Sequence, residues 1–148
     1  MPGEGAWAGG VHDDEPPRSD ASDALPGGEV YDWYTRGVQL LADGSANAAV
    51  QLLEHAVAAE PGSRSLREAL ARAQFDAGQY GRARESFDWI VARDPTDDYA
   101  HFGLGMAARK TGDLQAAVEH LALAAAMRPD LRHYRQALRG ARAALGRR

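Results

Sequence analysis

The feature that most constrains this sequence is an internal repeat with a period of 34 residues. Proline occurs at positions 61, 95 and 129, and glycine at positions 44, 78 and 112. Alanine recurs at the same interval at positions 49, 83 and 117, and so do the large apolar residues Leu53, Phe87 and Leu121. Four columns with one period are difficult to obtain by chance, and such a period indicates an array of stacked structural units.

The repeated part of the sequence favours helix. Alanine is abundant from residue 30 onward and nearly all bases are arginine, and both are good helix formers. The prolines at 61, 95 and 129 are the only ones in 30–148, and no segment shows sustained alternation of β-branched residues. The body of the chain is therefore predicted to be all-α.

Together, the period and these columns resemble the tetratricopeptide repeat family. The corresponding units are 30–63, 64–97 and 98–131, followed by a capping helix at about 131–145, which together cover about four-fifths of the chain. The resemblance implies a right-handed solenoid of three helix-turn-helix repeats with a concave groove lined by the first helices. The arginine-rich, lysine-poor usage is also similar to that of short tetratricopeptide proteins from high-GC bacteria.

The recurring glycines and prolines mark the predicted ends of helices. Gly44, Gly78 and Gly112 are expected to end each first helix in a left-handed conformation, which glycine adopts without strain. The prolines are expected to stop each second helix, because proline has no N–H to continue it. Small residues such as Gly37 and Gly105 would let paired helices approach closely. Residues 65–68 (Ser-Leu-Arg-Glu) are typical of a capping box.

Residues 1–29 differ in composition from the rest of the chain. They contain four prolines, six glycines and seven acidic residues against one base, Arg18, which gives this segment a charge of −6. The whole chain carries −4, so 30–148 carries +2. A segment with so few apolar side chains cannot offset its ordering entropy, so 1–29 is predicted to be a disordered acidic leader.

Several classes of function are disfavoured by what the sequence lacks. It has no cysteine, no signal-peptide pattern and no apolar run of membrane-spanning length, so a cytoplasmic protein is expected. No two of its five histidines have the i, i+4 spacing of a helical metal site. Residues 103–108 formally fit a dinucleotide-binding glycine pattern, but no strand precedes them. We therefore expect a non-enzymatic protein with no metal and no cofactor.

The groove implied by the resemblance is the first candidate binding site, and it is expected to bind another protein or a peptide. Its residues combine aromatic, charged and apolar side chains of the kind enriched at interfaces. Packing against a neighbouring helix is the alternative role for some of them, notably Phe75. The predicted groove residues are Tyr31, Tyr34, Val38, Glu68, Arg72, Phe75, Tyr99, Phe102, Met106, Arg109, Lys110 and His133.

One familiar ligand of such grooves is not expected. Family members that bind the acidic C-terminal tails of heat-shock chaperones hold them with lysine, asparagine and arginine side chains. The corresponding positions here are Tyr34, Val38, Ala69, Tyr99 and Gly103, which supply no such donors apart from tyrosine hydroxyls.

The second candidate is a basic face on the predicted capping helix, formed by Arg132, Arg135, Arg139 and Arg142. It would bind phosphate, nucleic acid or an acidic partner, although a solvated outer face is the more ordinary role and nucleic acid is the less expected partner. Self-association through the uncovered first helix, near Trp33, is a further alternative. The acidic leader would also be able to compete for the groove or the basic face.

Overall fold

The computed structural model describes residues 28–147, and within that range it contains seven α-helices and no strand. None of these helices is both long enough and apolar enough to span a membrane. The predicted leader, 1–29, lies outside the described residues except for Gly28 and Glu29, which already belong to the first helix. The helices are α1 (Gly28–Ala42), α2 (Ala46–Ala59), α3 (Arg64–Asp76), α4 (Tyr80–Arg93), α5 (Asp98–Lys110), α6 (Leu114–Met127) and α7 (Arg132–Gly146).

The chain divides into two compact units, Met1–Gln79 and Tyr80–Arg148. In the described part of the first unit, α1 packs on α2, and α3 packs on both. Its core consists of aliphatic side chains and alanines, and the half-buried ring of Trp33 lies against it. The buried members are Leu41, Ala49, Val50, Leu53, Ala56, Leu66, Ala69, Leu70 and Ala73.

The second unit is built around α5. This helix packs against α4, α6 and α7, and α6 also packs against α7. Ten of its thirteen residues are buried, since neighbouring helices cover it on several sides. The largest fully buried side chains of this unit are Phe87, Ile90, Tyr99, Leu121 and Tyr134.

Glycine ends each of the three first helices as the sequence predicts. Gly44, Gly78 and Gly112 have φ angles of +86°, +82° and +90°, in the region that side chains with a Cβ rarely adopt. In each turn the residue after the glycine donates its backbone N–H to a carbonyl near the end of the helix, for example Asp113 to Ala108 at 2.9 Å. The backbone geometry of these turns therefore favours glycine at the three positions.

The second helices end just before the recurring prolines, which confirms the second part of that prediction. The last residues of α2, α4 and α6 are each two positions before proline 61, 95 or 129. The predicted capping box was wrong in its position, because α3 begins earlier. Ser63 is the N-cap, and its hydroxyl accepts a hydrogen bond from the backbone N–H of Leu66 at 3.2 Å.

Small residues set the distance between the paired helices. A Cβ added at Gly37 would lie 2.6 Å from Cδ2 of Leu53, and one added at Gly105 would lie 2.7 Å from Cγ of Leu121. Both contacts are too short for real side chains, so glycine is what allows α1 to approach α2 and α5 to approach α6. Gly103 plays the same part between α5 and α4, where an added Cβ would lie 2.4 Å from the ring of Phe87.

Candidate binding surfaces

The clearest surface in the second unit is formed by α5 and α7. Met106 and Arg109 on α5 are half-buried and Lys110 is exposed, while the half-buried His133 of α7 contacts Phe102 of α5. The guanidinium of Arg109 lies across Gly140 of α7, where an added Cβ would be 2.7 Å from its Nη1 atom. We call Met106, Arg109, Lys110 and His133 the α5–α7 surface.

Two features give this surface a defined shape. The Lys110 ammonium lies 5.4 Å from the ring centroid of Tyr80, a distance at which the cation is attracted to the ring. The edge of His133 meets the Phe102 ring, with centroids 5.2 Å apart and planes at 79°. The surface therefore offers two cations on α5 and a partly exposed imidazole on α7 that rests on buried aromatic rings.

Three of the predicted groove aromatics lie in the interior instead of on a surface. Phe75, Tyr99 and Phe102 are only 2%, 1% and 5% exposed. Phe102 stacks on Tyr134 with ring centroids 4.7 Å apart, and Tyr99 meets Phe87 edge-on at 6.3 Å. Neighbouring side chains cover these rings, so little of their surface is left for a ligand.

A buried hydrogen bond fixes α7 against α5 beneath the surface. The hydroxyl of Tyr134 donates to Oδ2 of Asp98 at 2.7 Å, and both side chains are buried. The neighbouring Asp97 caps α5, because its Oδ1 accepts from the backbone N–H of Ala100 at 3.0 Å. A charged acceptor makes the Tyr134 bond one of the stronger kinds of hydrogen bond in proteins.

In the first unit, the predicted groove residues other than Phe75 are exposed or half-buried. Tyr31 is 42% exposed and its ring lies 6.5 Å from that of Tyr34, which is half-buried. Val38 is half-buried and packs on the core of this unit. On α3, Glu68 and Arg72 are half-buried. These five side chains are therefore partly accessible.

The basic face is present on α7. All four of its arginines are exposed, on the side of the helix opposite the buried Tyr134 and Ala141. Arg135 donates to the backbone carbonyl oxygen of Pro129, in the turn before the helix. In that turn, the hydrogen bond from Arg128 holds the pKa of Asp130 below its usual range. The face consists of Arg132, Arg135, Arg139 and Arg142.

Sequence reasoning missed a pair of histidines in the second unit. Nδ1 of His101 lies 3.1 Å from Nδ1 of His120, and the two rings stack with centroids 5.3 Å apart. The residues are 19 positions apart on different helices, so no local motif could show the pair. The sequence feature connected with the pair is Gly105, which packs on Leu121 and lets α5 approach α6 closely.

A cleft opens beside this pair, where α4 and α6 both pack on α5. Its volume is about 380 Å³, within the usual range of ligand sites. The lining combines charged, polar and apolar groups from three helices. These are Gly81, Arg84, Glu85, Asp88, Leu104 and His120, and we call the site the α4–α6 cleft. Within residues 28–147, no group of three or more potential ligands is arranged to hold a metal ion.

Comparisons with known proteins agree with this architecture. Residues 68–132 match the model of the tetratricopeptide repeat family. The first tetratricopeptide repeat domain of Spaghetti (RPAP3), bound to an HSP90 peptide, is similar with a TM-score of 0.75 and 17% identity, covering 86% of this chain and 99% of that one. The fold is that of the tetratricopeptide repeat.

Two further structures share the tetratricopeptide repeat fold. The Sgt2 domain from Aspergillus fumigatus has a TM-score of 0.74 at 19% identity, covering 82% of each chain. MamA from Desulfovibrio magneticus RS-1 has a TM-score of 0.76 at 21% identity, covering 79% of this chain and 66% of that one. No curated protein sequence matches. Identities this low establish similarity of fold only. In the repeats of this chain the first helices are α1, α3 and α5.

Proposed function

We propose that this protein is a non-catalytic interaction module that binds a segment of another protein on its α5–α7 surface. The observation that carries the proposal is the guanidinium of Arg109, which lies across Gly140 of α7, next to the exposed Lys110 and one turn after the partly exposed Met106. Methionine, arginine and aromatic side chains are enriched at protein interfaces. Repeat folds of this kind also present their surfaces to partners more often than they enclose catalytic pockets.

The charge of the surface indicates what the segment should contain. Arg109 and Lys110 supply two cations within one turn of α5, and the guanidinium is held in place by its packing across Gly140. A guanidinium that is positioned in advance loses less side-chain freedom when it pairs with a carboxylate. We therefore expect the bound segment to carry at least one acidic residue next to an apolar one.

Solved relatives of the fold support peptide binding as the general activity. The RPAP3 domain is described with an HSP90 peptide, SRMEEVD, and a second RPAP3 domain with an HSP70 peptide, SGPTIEEVD. In this chain three of the positions that correspond to the chaperone-tail clamp are buried: Ala69, Tyr99 and Gly103. The proposed partner is therefore a different acidic segment.

The test is a selection of peptides from a random displayed library with the full chain, followed by affinity measurements on the best binders. Fluorescence anisotropy then compares the wild type with Arg109→Glu and Lys110→Glu. Reversing the charge that faces a bound carboxylate should weaken binding by about tenfold or more.

Arg142→Glu is the matched control, because Arg142 is an exposed arginine on the basic face of α7. Its affinity should stay within about twofold of the wild type, since rim charges away from a contact contribute little. If Arg142→Glu loses as much affinity as Arg109→Glu, the peptide responds to overall charge or to the basic face, and the α5–α7 surface is not the site.

A further inference from the structure

The hydrogen bonds of the histidine pair assign the protons on both rings. Nε2 of His101 lies 2.8 Å from the backbone carbonyl oxygen of Pro95. A carbonyl only accepts, so this nitrogen carries the proton, and Nδ1 of a neutral His101 is then an acceptor. The Nδ1 of His120, 3.1 Å away, must donate to it. In its neutral form His120 is therefore left with an acceptor at Nε2.

His120 is held in that neutral form by its surroundings. Its pKa is lowered below 6.5 mainly by burial, and next by the neighbouring His101. Three charged groups also act on its pKa: Arg84 of α4 lowers it, whereas Asp88 of α4 and the adjacent Glu119 of α6 raise it. At neutral pH the imidazole therefore contributes an acceptor and no charge to the α4–α6 cleft that it lines.

Arg84, the cationic residue of the cleft lining, already forms hydrogen bonds to residues outside that lining. The Arg84 guanidinium donates to Oδ2 of Asp113 at 2.8 Å and to the hydroxyl of Thr111 at 3.3 Å, both in the turn before α6. Glu85 and Asp88 are exposed and form no ion pair with any residue in the described part of the chain. The cleft thus carries two carboxylates that form no ion pair among residues 28–147, beside a neutral acceptor.

We propose that the α4–α6 cleft binds an arginine side chain presented by a partner protein. A guanidinium has five N–H donors in a planar fork, which suits acceptors that come from two different helices. The apolar side chain of Leu104 in the lining suits the aliphatic stem of an arginine. The site lies on different residues from the α5–α7 surface and does not depend on the function proposed for that surface.

The first experiment titrates the ¹⁵N-labelled full chain with N-acetyl-arginine amide and follows the amide and imidazole signals by NMR. Saturable shifts are expected at Gly81, Asp88, Leu104 and His120. N-acetyl-citrulline amide has nearly the same shape without the charge and should bind at least about fivefold more weakly, as should N-acetyl-lysine amide. Equal binding of the citrulline or lysine probe would overturn the proposal.

Variants locate the site. Glu85→Gln and Asp88→Asn should each weaken arginine binding by about threefold or more, and both positions are exposed, so the fold should tolerate the changes. Asp32→Asn is the matched control: it removes one exposed carboxylate from α1 and leaves both the cleft lining and the groups that act on His120 unchanged. An equal loss in Asp32→Asn would show attraction to overall charge and would overturn the assignment.

The histidine adds a readout that a simple acidic patch would not give. Protonation of His120 turns Nε2 into a donor and adds a positive charge, so arginine affinity should fall as the pH is lowered from 7.5 to values below 6.5. His120→Gln should remove most of this dependence. A wild-type affinity that does not change over this range would refute the part assigned to His120.

Discussion

Replacing Gly103 by alanine tests whether close packing between α4 and α5 supports the second unit. The added Cβ would lie 2.4 Å from two carbons of the Phe87 ring, and Phe87 is fully buried. Overpacking of this kind costs about 1–3 kcal/mol, and the enclosed ring places this site near the upper end. Alanine returns about 1 kcal/mol through its better helix propensity. The net loss should be about 2 kcal/mol.

The assay is urea denaturation of the full chain, followed by circular dichroism at the helix band. With a typical slope of about 1–3 kcal/mol per molar urea, the midpoint should fall by roughly 1 M. Gly81→Ala is the control, because Gly81 is helical and exposed and has nothing within 4 Å of its added Cβ. It should be neutral or slightly stabilising.

A double variant separates the steric argument from a general effect of alanine. In a Phe87→Leu background the ring is absent, so the added penalty of Gly103→Ala should fall to less than half of its value in the wild type. A Gly103→Ala protein as stable as Gly81→Ala, or a penalty unchanged by Phe87→Leu, would refute the reasoning.

Three further predictions concern the second unit. Tyr134→Phe removes the donor to the buried Asp98 and should cost about 1.5–3 kcal/mol, read from urea denaturation at pH 7.5; no loss would mean that the bond is not stabilising. Because the pKa of His120 is lowered in the folded state, the unfolded chain binds more protons below about pH 6.5, so stability should fall as the pH drops through that range. His120→Gln should flatten this fall, and an unchanged slope would show that His120 does not contribute to it. Asp113→Ala removes the N-cap of α6 and should cost about 1–2 kcal/mol in the same denaturation assay, whereas Asp113→Asn should retain most of the cap; equal losses in both variants would contradict a capping role.

The positions of helix ends could be predicted from the sequence, because glycine and proline act locally. Gly44 and Gly112 end their helices in the left-handed region, and α6 stops two residues before Pro129, as their backbone chemistry dictates. The close approach at Gly105 also follows from its residue type. Ser63 shows the limit of local reasoning. Ser63 and Ser65 both suit an N-cap by residue type, and in the structure Ser63 is the N-cap.

The candidate site could be predicted only in part. The repeat pattern indicates which face a side chain lies on, but not how far the neighbouring helix covers that face. Phe102 is a case in point: it was predicted to line the groove, but Tyr134 of α7 stacks directly on it. The His101–His120 pair and the α4–α6 cleft depend on the register of three helices, which no single helix encodes.

The short turns of the fold have a consequence for folding kinetics. Within each unit, consecutive helices are joined by only three or four residues, as in 43–45 of the first unit and 111–113 of the second. Helices that pack together are thus mostly neighbours along the chain, so little loop-closure entropy is lost before their contacts form. Helical proteins of low contact order fold in microseconds to milliseconds, and we expect this chain to refold on that time scale.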